Sequence, residues 1–286
     1  MVALTKRNER LSKTRIADMI DKAGDTSGYP RYYLGMSGLG NSCMRALWFG
    51  FRWPHKGSIS GRTNRIFNVG HAAEHDLVKS LESVGIECWN VCEDQDEFVD
   101  GHGYIKAHPD GYARNIPGAE KTVHLLEFKT MNDKSFKDTV KKGVEVSKPI
   151  YYAQMVLYMY KKGLTRALFM AVNKNDSSYY LERIKNNDSF AKELLSKGQD
   201  IIFSENFNDF PRIGTNKQSW YECKWCNYSD VCFGDNSGLE PNCRNCSDCN
   251  LLGEGKFACG EDSDRVLKVE EQEKGCEKHD YLECFK

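Results

Sequence analysis

Twelve cysteines are spread very unevenly over this 286-residue chain, most of them after residue 222 and in closely spaced pairs. The first residues, MVALTKRNER, are charged by the sixth position and no apolar run follows. Neither secretion nor membrane anchoring is therefore expected, and the chain is read as belonging to a reducing cytoplasm. Thiols there do not persist as disulfides, and clusters of them usually hold metal. Everything after about residue 215 is thus expected to be shaped by metal binding. One triplet, Cys223-x2-Cys226-x5-Cys232, lacks a fourth ligand nearby. A second group starts with Cys243-x2-Cys246, adds Cys259, and has Cys276 or His279 to complete a tetrahedral zinc-type site, with Cys249 as a rival ligand. Cys88, Cys92 and Cys284 follow no usable spacing.

The chain as a whole has the makings of a core: 40% of residues are hydrophobic, only 7 are proline, and the mean hydropathy is −0.62. That excludes a disordered linker, a fibre and a membrane span. With 40 Lys and Arg against 41 Asp and Glu, no global basic field exists, so any nucleic-acid site must be a local patch. Residues 6–23 read as an amphipathic helix burying Leu11, Ile16, Met19 and Ile20. Residues 69–84 have helical spacing and a stop at Gly85, and 103–113 with 123–131 read as a hairpin joined by NIPGAEK. Pro149 opens a helix that Gly163 closes; 166–173 and 179–184 form another strand pair; 190–203 is a further helix. This order describes an α/β core, with no internal repeat or low-complexity segment.

From Thr26 to Ala73 there is no acidic residue, while Arg31, Arg45, Arg52, Lys56, Arg62 and Arg65 alternate with Tyr32, Tyr33, Trp48, Phe49, Phe51 and Trp53. Two readings compete. Cations on phosphates and rings on bases suit a nucleic-acid strand, whereas the same rings could be core and the same arginines merely solvated.

The chemistry concentrates on the hairpin, which carries HPDG at 108–111 and LEFKT at 126–130. Side chains alternate along a strand, so Glu127 and Lys129 share a face and Phe128 packs on the other. Asp110 and Glu127 can bind Mg2+ or Mn2+, and Lys129 can orient a water or neutralise developing charge. These residues resemble the Asp and Glu-x-Lys of the PD-(D/E)XK nuclease superfamily, in its RecB-like and phage exonuclease branch. In the helix that follows, Gln154 and Tyr158 match that family's Gln-x-x-x-Tyr motif and lie on one helix face. For the upstream helical ligand, VGHAAEHDLV supplies Glu74, His75 and His71; Glu74 resembles the glutamate of phage exonucleases and is preferred over His75, which resembles the histidine of RecB and AddB nucleases.

The resemblance also implies the missing thiolate. In iron-sulfur RecB-like nucleases, including AddB and the CRISPR-associated exonucleases, one N-terminal cysteine joins a C-terminal triplet of this spacing to hold a 4Fe-4S cluster; Cys43 stands in the matching place, with Cys223, Cys226 and Cys232 as partners. A zinc site on the same four thiolates is the competing reading. The tail group Cys243, Cys246, Cys259 and Cys276 resembles a zinc knuckle. The expected architecture is a restriction-endonuclease-like α/β core over residues 35–235 with an iron-sulfur staple, preceded by a helical segment at 1–34 and followed by a cysteine-rich, zinc-binding tail at 236–286. The expected activity is metal-dependent DNA exonucleolysis in phage recombination, repair or genome processing, on single-stranded or frayed ends, with a helicase or strand-annealing partner and no membrane association. A structure-selective or nicking endonuclease, and a catalytically idle DNA-binding or Fe-S protein, are the alternatives. The intact Asp110, Glu127 and Lys129 set argues against the idle form.

Overall fold

The run from 124 to 131 contains Leu125, Leu126, Phe128 and Met131 and so presents apolar side chains in both directions. A strand of that kind must be covered on both faces. In the computed structural model, which describes residues 15–262 and 265–286, it is the centre of the molecule. The chain runs through α1 (Arg15–Ala23), β1 (Thr26–Gly28), β2 (Leu34–Gly35), α2 (Met44–Arg52), β3 (Gly57–Ile59) and α3 (Gly61–Glu82). Then come β4 (Glu87–Trp89), β5 (Phe98–Val99), β6 (Ile105–Ala107), β7 (Tyr112–Arg114) and the central β8 (His124–Met131). Next follow α4 (Asp133–Lys142), α5 (Val144–Ser147), α6 (Pro149–Lys162), β9 (Arg166–Asn173), β10 (Tyr179–Lys185) and α7 (Asp188–Phe203). The cysteine-rich part adds α8 (Tyr221–Lys224), α9 (Ser229–Cys232), β11 (Cys249–Gly253), β12 (Lys256–Cys259), β13 (Arg265–Leu267) and α10 (Val269–Lys274).

The main sheet has the order β10-β9-β8-β7-β4, with β8 parallel to β9 and the other neighbours antiparallel. Helices α4 to α6 connect the two parallel strands, as a parallel pair requires. Alternate residues of β8 and β9 divide between two cores. Leu125, Met131, Phe169 and Ala171 pack with α6, α7 and α2, whereas Leu126, Phe128, Leu168 and Met170 pack with Leu77, Val78 and Leu81 of α3. Smaller sheets, β2-β6-β5, β1-β3 and β11-β12-β13, flank this layer. The tail shares the first core: Phe285 lies against Trp48 and Phe207, and Phe257 against Phe51 and Tyr104. No described helix is long and apolar enough to cross a membrane.

Four expectations need correction. The run 103–113 is not one strand: β6 pairs with β2 and β5, while β7 pairs with β8 in the main sheet. Pro109 and Gly111 break it, Gly111 with φ +135°, where an added Cβ would stand 2.4 Å from Val91 Cγ1. Helix α3 begins at Gly61, eight residues before the expected start, because Ser60 caps it by accepting a hydrogen bond from the Thr63 N–H. Of the helix expected over 6–23, residues 6–14 with Leu11 lie outside the described residues, and the stripe Ile16, Met19 and Ile20 is exposed rather than buried. Lastly, Trp48, Phe49, Phe51 and Trp53 of the basic-aromatic segment are core, as one of its two readings had it, but Arg45 and Arg52 are buried with them and not solvated; the Arg52 guanidinium donates to the Ile202 and Ser204 carbonyls.

β8 begins with a fully buried His124, whose Nδ1–H donates to Thr122 O (2.9 Å) while Nε2 accepts from Arg183 Nε (3.1 Å), which requires the neutral ring. Burial, with Arg183 and Arg166 near, holds its pKa below the ordinary 6.5, against the pull of the Thr122 carbonyl. Below pH 6.5 the unfolded chain therefore takes up a proton that the folded chain refuses, and stability falls as the pH drops. Urea unfolding at pH 7 and pH 5 should show wild type losing more stability than His124→Gln; equal losses would remove His124 from the account.

Candidate active site

The strand pair β7-β8 comes apart where the chain bends at Gly111. Leu126 N–H still bonds to Gly111 O (2.9 Å), but the next N–H on that side of β8, Phe128, has no strand partner. Asp110 Oδ2 accepts it instead (2.7 Å), so the carboxylate is held at the mouth of the split by the ladder it interrupts. On β8 itself, Glu127 and Lys129 project toward α6 and form an ion pair, with the Lys129 Nζ also donating to Phe128 O (3.0 Å) and lying 5.2 Å from the Tyr151 ring centroid. From α6, Gln154 Nε2 donates to Glu127 Oε2 (2.9 Å), and Tyr158 lies one turn further along the same face.

Glu127 is completely buried, and Lys129 is 23% exposed. Burial pushes the Glu127 carboxyl up to about 8, the Lys129 ammonium pulling it down and Asp110 and Glu74 pushing it further up. Burial opposes the charge on Lys129, but Glu127 and Asp110 outweigh it and raise its pKa. Glu74, on α3, is raised by burial and then by Asp110. Asp110 raises both Glu74 and Glu127, and a place where carboxyl groups crowd in this way is one where a divalent cation would be stabilising. Glu127 Oε2 accepts from Gln154 and Oε1 faces only the Lys129 ammonium with no aligned hydrogen bond, so Oε1 is the oxygen an ion would share with Lys129. The donor set, all oxygen, suits Mg2+ or Mn2+.

One cleft of about 640 Å³ brings these groups together. It is lined by Glu74, Asp110, Lys129, Gln154 and Tyr158, with Glu127 directly behind Gln154 and Lys129. His75 and His71 also reach it, but His75 faces Glu93 (3.2 Å) and His71 faces Glu74 (3.7 Å). Of the two helical candidates, Glu74 is thus the one set beside Asp110 and Lys129. Sequence reasoning missed Lys106, His108, Cys92 and Glu93 in the wall. Lys106 and His108 stand within four residues of Asp110 and could have been found by proximity; Cys92 and Glu93 could not.

Among the described residues, Arg31 is the one arginine or lysine of the basic-aromatic segment that lines the cleft. The exposed Tyr32 ring lies 5.5 Å from the Lys106 ammonium, and Arg31 lies 5.8 Å over Tyr33. A strand-binding role for Arg52, Trp48 and Trp53 is overturned by their burial in the core.

A second cavity, of about 310 Å³, is lined by Cys43, Cys223, Cys226 and Cys232 together with Phe49, Trp225 and Phe233. Cys43 precedes α2, Cys223 and Cys226 bracket the end of α8, and Cys232 ends α9; Arg45 Nη1 lies 3.8 Å from Cys232 Sγ. Four thiolates on one zinc stand roughly 3.8 Å apart. Among the described residues these sulfurs form no group of three within 4.8 Å.

In the tail, Cys249 faces Cys259 across β11 and β12, and the Cys243 thiol is pushed up to about 11 by burial, then by Cys246, Cys259 and Cys276. His279 Nε2 is engaged by Asn245 Oδ1 (2.8 Å), while Cys276 is near enough to act on the Cys243 thiol. These sulfurs also stand wider than one zinc requires among the described residues.

No protein-family model matches the chain, and no curated protein does. Among solved structures, the fold is similar to an alkaline exonuclease, LHK-Exo, from Laribacter hongkongensis, at 20% identity over 60% of this chain and 86% of that one, with a TM-score of 0.44. The same enzyme in complex with dAMP is similar at 19% identity with the same coverage and TM-score. SSO0001 is similar at 16% identity over 73% of this chain and 88% of its own, with a TM-score of 0.42. Likenesses this slight transfer no activity, and the functional reading rests on the cleft.

Proposed function

We propose that this chain is a divalent-metal-dependent deoxyribonuclease of the PD-(D/E)XK type, acting on DNA ends. The observation that carries the reading is the convergence of Glu74 from α3, Asp110 from the split, Glu127 and Lys129 from β8 and Gln154 from α6 on one cleft. Asp110, Glu127 and Glu74 would hold Mg2+ or Mn2+, which when bound polarises a phosphodiester and lowers the pKa of a water. Lys129 offers its ammonium to the cleft and offsets negative charge developing on phosphate oxygens. Gln154 orients Glu127, and the Asp110 carboxylate is held in place by the Phe128 N–H. Arg31 and Lys106 meet the DNA backbone, and Tyr32 offers a stacking face for an unpaired base.

The cavity around Cys43, Cys223, Cys226 and Cys232 would take a 4Fe-4S cluster, joining the start of α2 to α8 and α9. A zinc ion in the tail requires Cys243, Cys246, Cys259 and Cys276 to draw together. A role in phage recombination, repair or genome processing, alongside a helicase or annealing partner in the cytoplasm, follows from the resemblance of the motifs.

The test compares end-labelled linear single strands, linear duplex and covalently closed circles with Mg2+ and then Mn2+. Linear single-stranded or frayed substrates should be degraded and closed circles spared; comparable cutting of circles makes the enzyme an endonuclease, and no cutting of any substrate removes the nuclease reading. Arg31→Ala should weaken binding of every sequence and reduce its salt dependence, because phosphate contacts carry no base information. Tyr32→Ala should cost about 1–3 kcal/mol of single-strand affinity if its ring stacks on a base.

A further inference from the structure

Two residues in the loop after β4, Asn90 and Cys92, have left-handed backbones, with φ of +49° and +57°. For a cysteine that conformation is uncommon and persists only where the surroundings impose it. Here it brings Cys92 and Glu93 against α3. His75 Nε2 stands 3.2 Å from Glu93 Oε1, and the imidazole, the Cys92 sulfur and a Glu93 oxygen lie within 4.8 Å of one another. Among the described residues, this trio is the group of metal-ligating side chains that is so compact. A nitrogen and an oxygen each about 2.0 Å from one tetrahedral ion stand roughly 3.3 Å apart, close to the His75–Glu93 separation. As a bare ion pair the contact would contribute little, with the two side chains 48% and 80% exposed.

The donor set differs in kind from the carboxylates around Asp110. A thiolate and an imidazole beside one carboxylate select a borderline-soft ion and disfavour Mg2+. Three protein ligands leave a fourth position, the arrangement of a zinc site that takes an exchangeable ligand. All three side chains line the cleft that also holds Glu74, Asp110 and Lys129. We propose that His75, Cys92 and Glu93 bind a thiophilic divalent cation such as Zn2+ at the rim of the cleft, separate from the oxygen-lined site, with its fourth position open to a phosphate oxygen. His75 is then a ligand of this rim ion and not of the ion at Asp110. The ion-binding part stands without the nuclease reading; only the phosphate contact rests on it.

Titrating full-length protein with Zn2+ against a chromophoric chelator tests the proposal. Wild type should bind one more equivalent than Cys92→Ala, His75→Ala or Glu93→Gln, and Asp110→Ala should keep that equivalent. Co2+ in place of Zn2+ should give a thiolate-to-metal charge-transfer band that is weaker in Cys92→Ala by the contribution of one site. Far-UV circular dichroism checks folding, and His75→Ala, at a half-exposed helical position, supplies the answer if the cysteine variant does not fold. Equal zinc stoichiometry and affinity in wild type and His75→Ala would overturn the site and leave an ordinary ion pair. A protein that binds this ion and cuts no DNA would retire the nuclease reading and leave the rim site standing.

Discussion

Glu127→Gln is expected to lower DNA hydrolysis by on the order of 10³-fold or more, the scale seen when a group that stabilises developing charge is removed from a water-excluded site. The amide keeps the volume and can keep a hydrogen bond with Gln154, but it removes a buried carboxylate that a cation needs and that Lys129 is paired to. Lys129→Ala and Asp110→Ala should lose activity on the same scale for different reasons. The first removes the ammonium facing the cleft and leaves the buried Glu127 carboxyl without its counter-charge; the second leaves the Phe128 N–H without its 2.7 Å partner. Rates on end-labelled linear DNA with Mg2+, with and without EDTA, alongside circular dichroism, are the measurements. Full activity of Glu127→Gln in Mg2+ would sink the catalytic assignment.

Cys43→Ser should have the largest effect on the molecule as a whole. Wild type purified without oxygen is expected to be brown and to contain iron and acid-labile sulfide. The variant should be colourless, less soluble and less stable by several kcal/mol, since a group bound only in the folded state contributes its binding energy to folding. Cys223→Ser, Cys226→Ser and Cys232→Ser should behave alike, because all three line the cavity with Cys43. Cys284→Ser is the control: its sulfur lies 3.4 Å from the Glu205 carbonyl, outside that cavity, and its colour should persist. Zinc without sulfide in wild type would replace the cluster by a zinc site.

Legibility followed the range of the interactions. The helix 149–162, the strands 166–173 and 179–184, and the alternation of Glu127, Phe128 and Lys129 could be read from local spacing, and all are present, the second strand one residue longer. The break at Pro109 and Gly111 was written in the residues, yet 103–113 read as one strand. Only the packing of Val91 against Gly111, and the departure of β6 into another sheet, show why it separates two strands. The basic-aromatic segment left two readings open because burial is not a local property. Trp53 carries Arg244 4.5 Å over its ring, a contact made by a residue almost two hundred positions away.

What the sequence determined by itself was the chemical inventory and its local phase: which carboxylate shares a face with which lysine, and which thiols are spaced for metal. Those follow from strand and helix periodicity, which depends only on neighbours along the chain. The tertiary structure alone decided which groups meet. It set Glu74 rather than His75 beside Asp110, joined Cys43 to a triplet 180 residues later, sent the tryptophans into the core, and brought Cys92 to His75. Each of these depends on how the sheet splits and which faces α2 and α3 bury, and burial is settled by the whole chain at once.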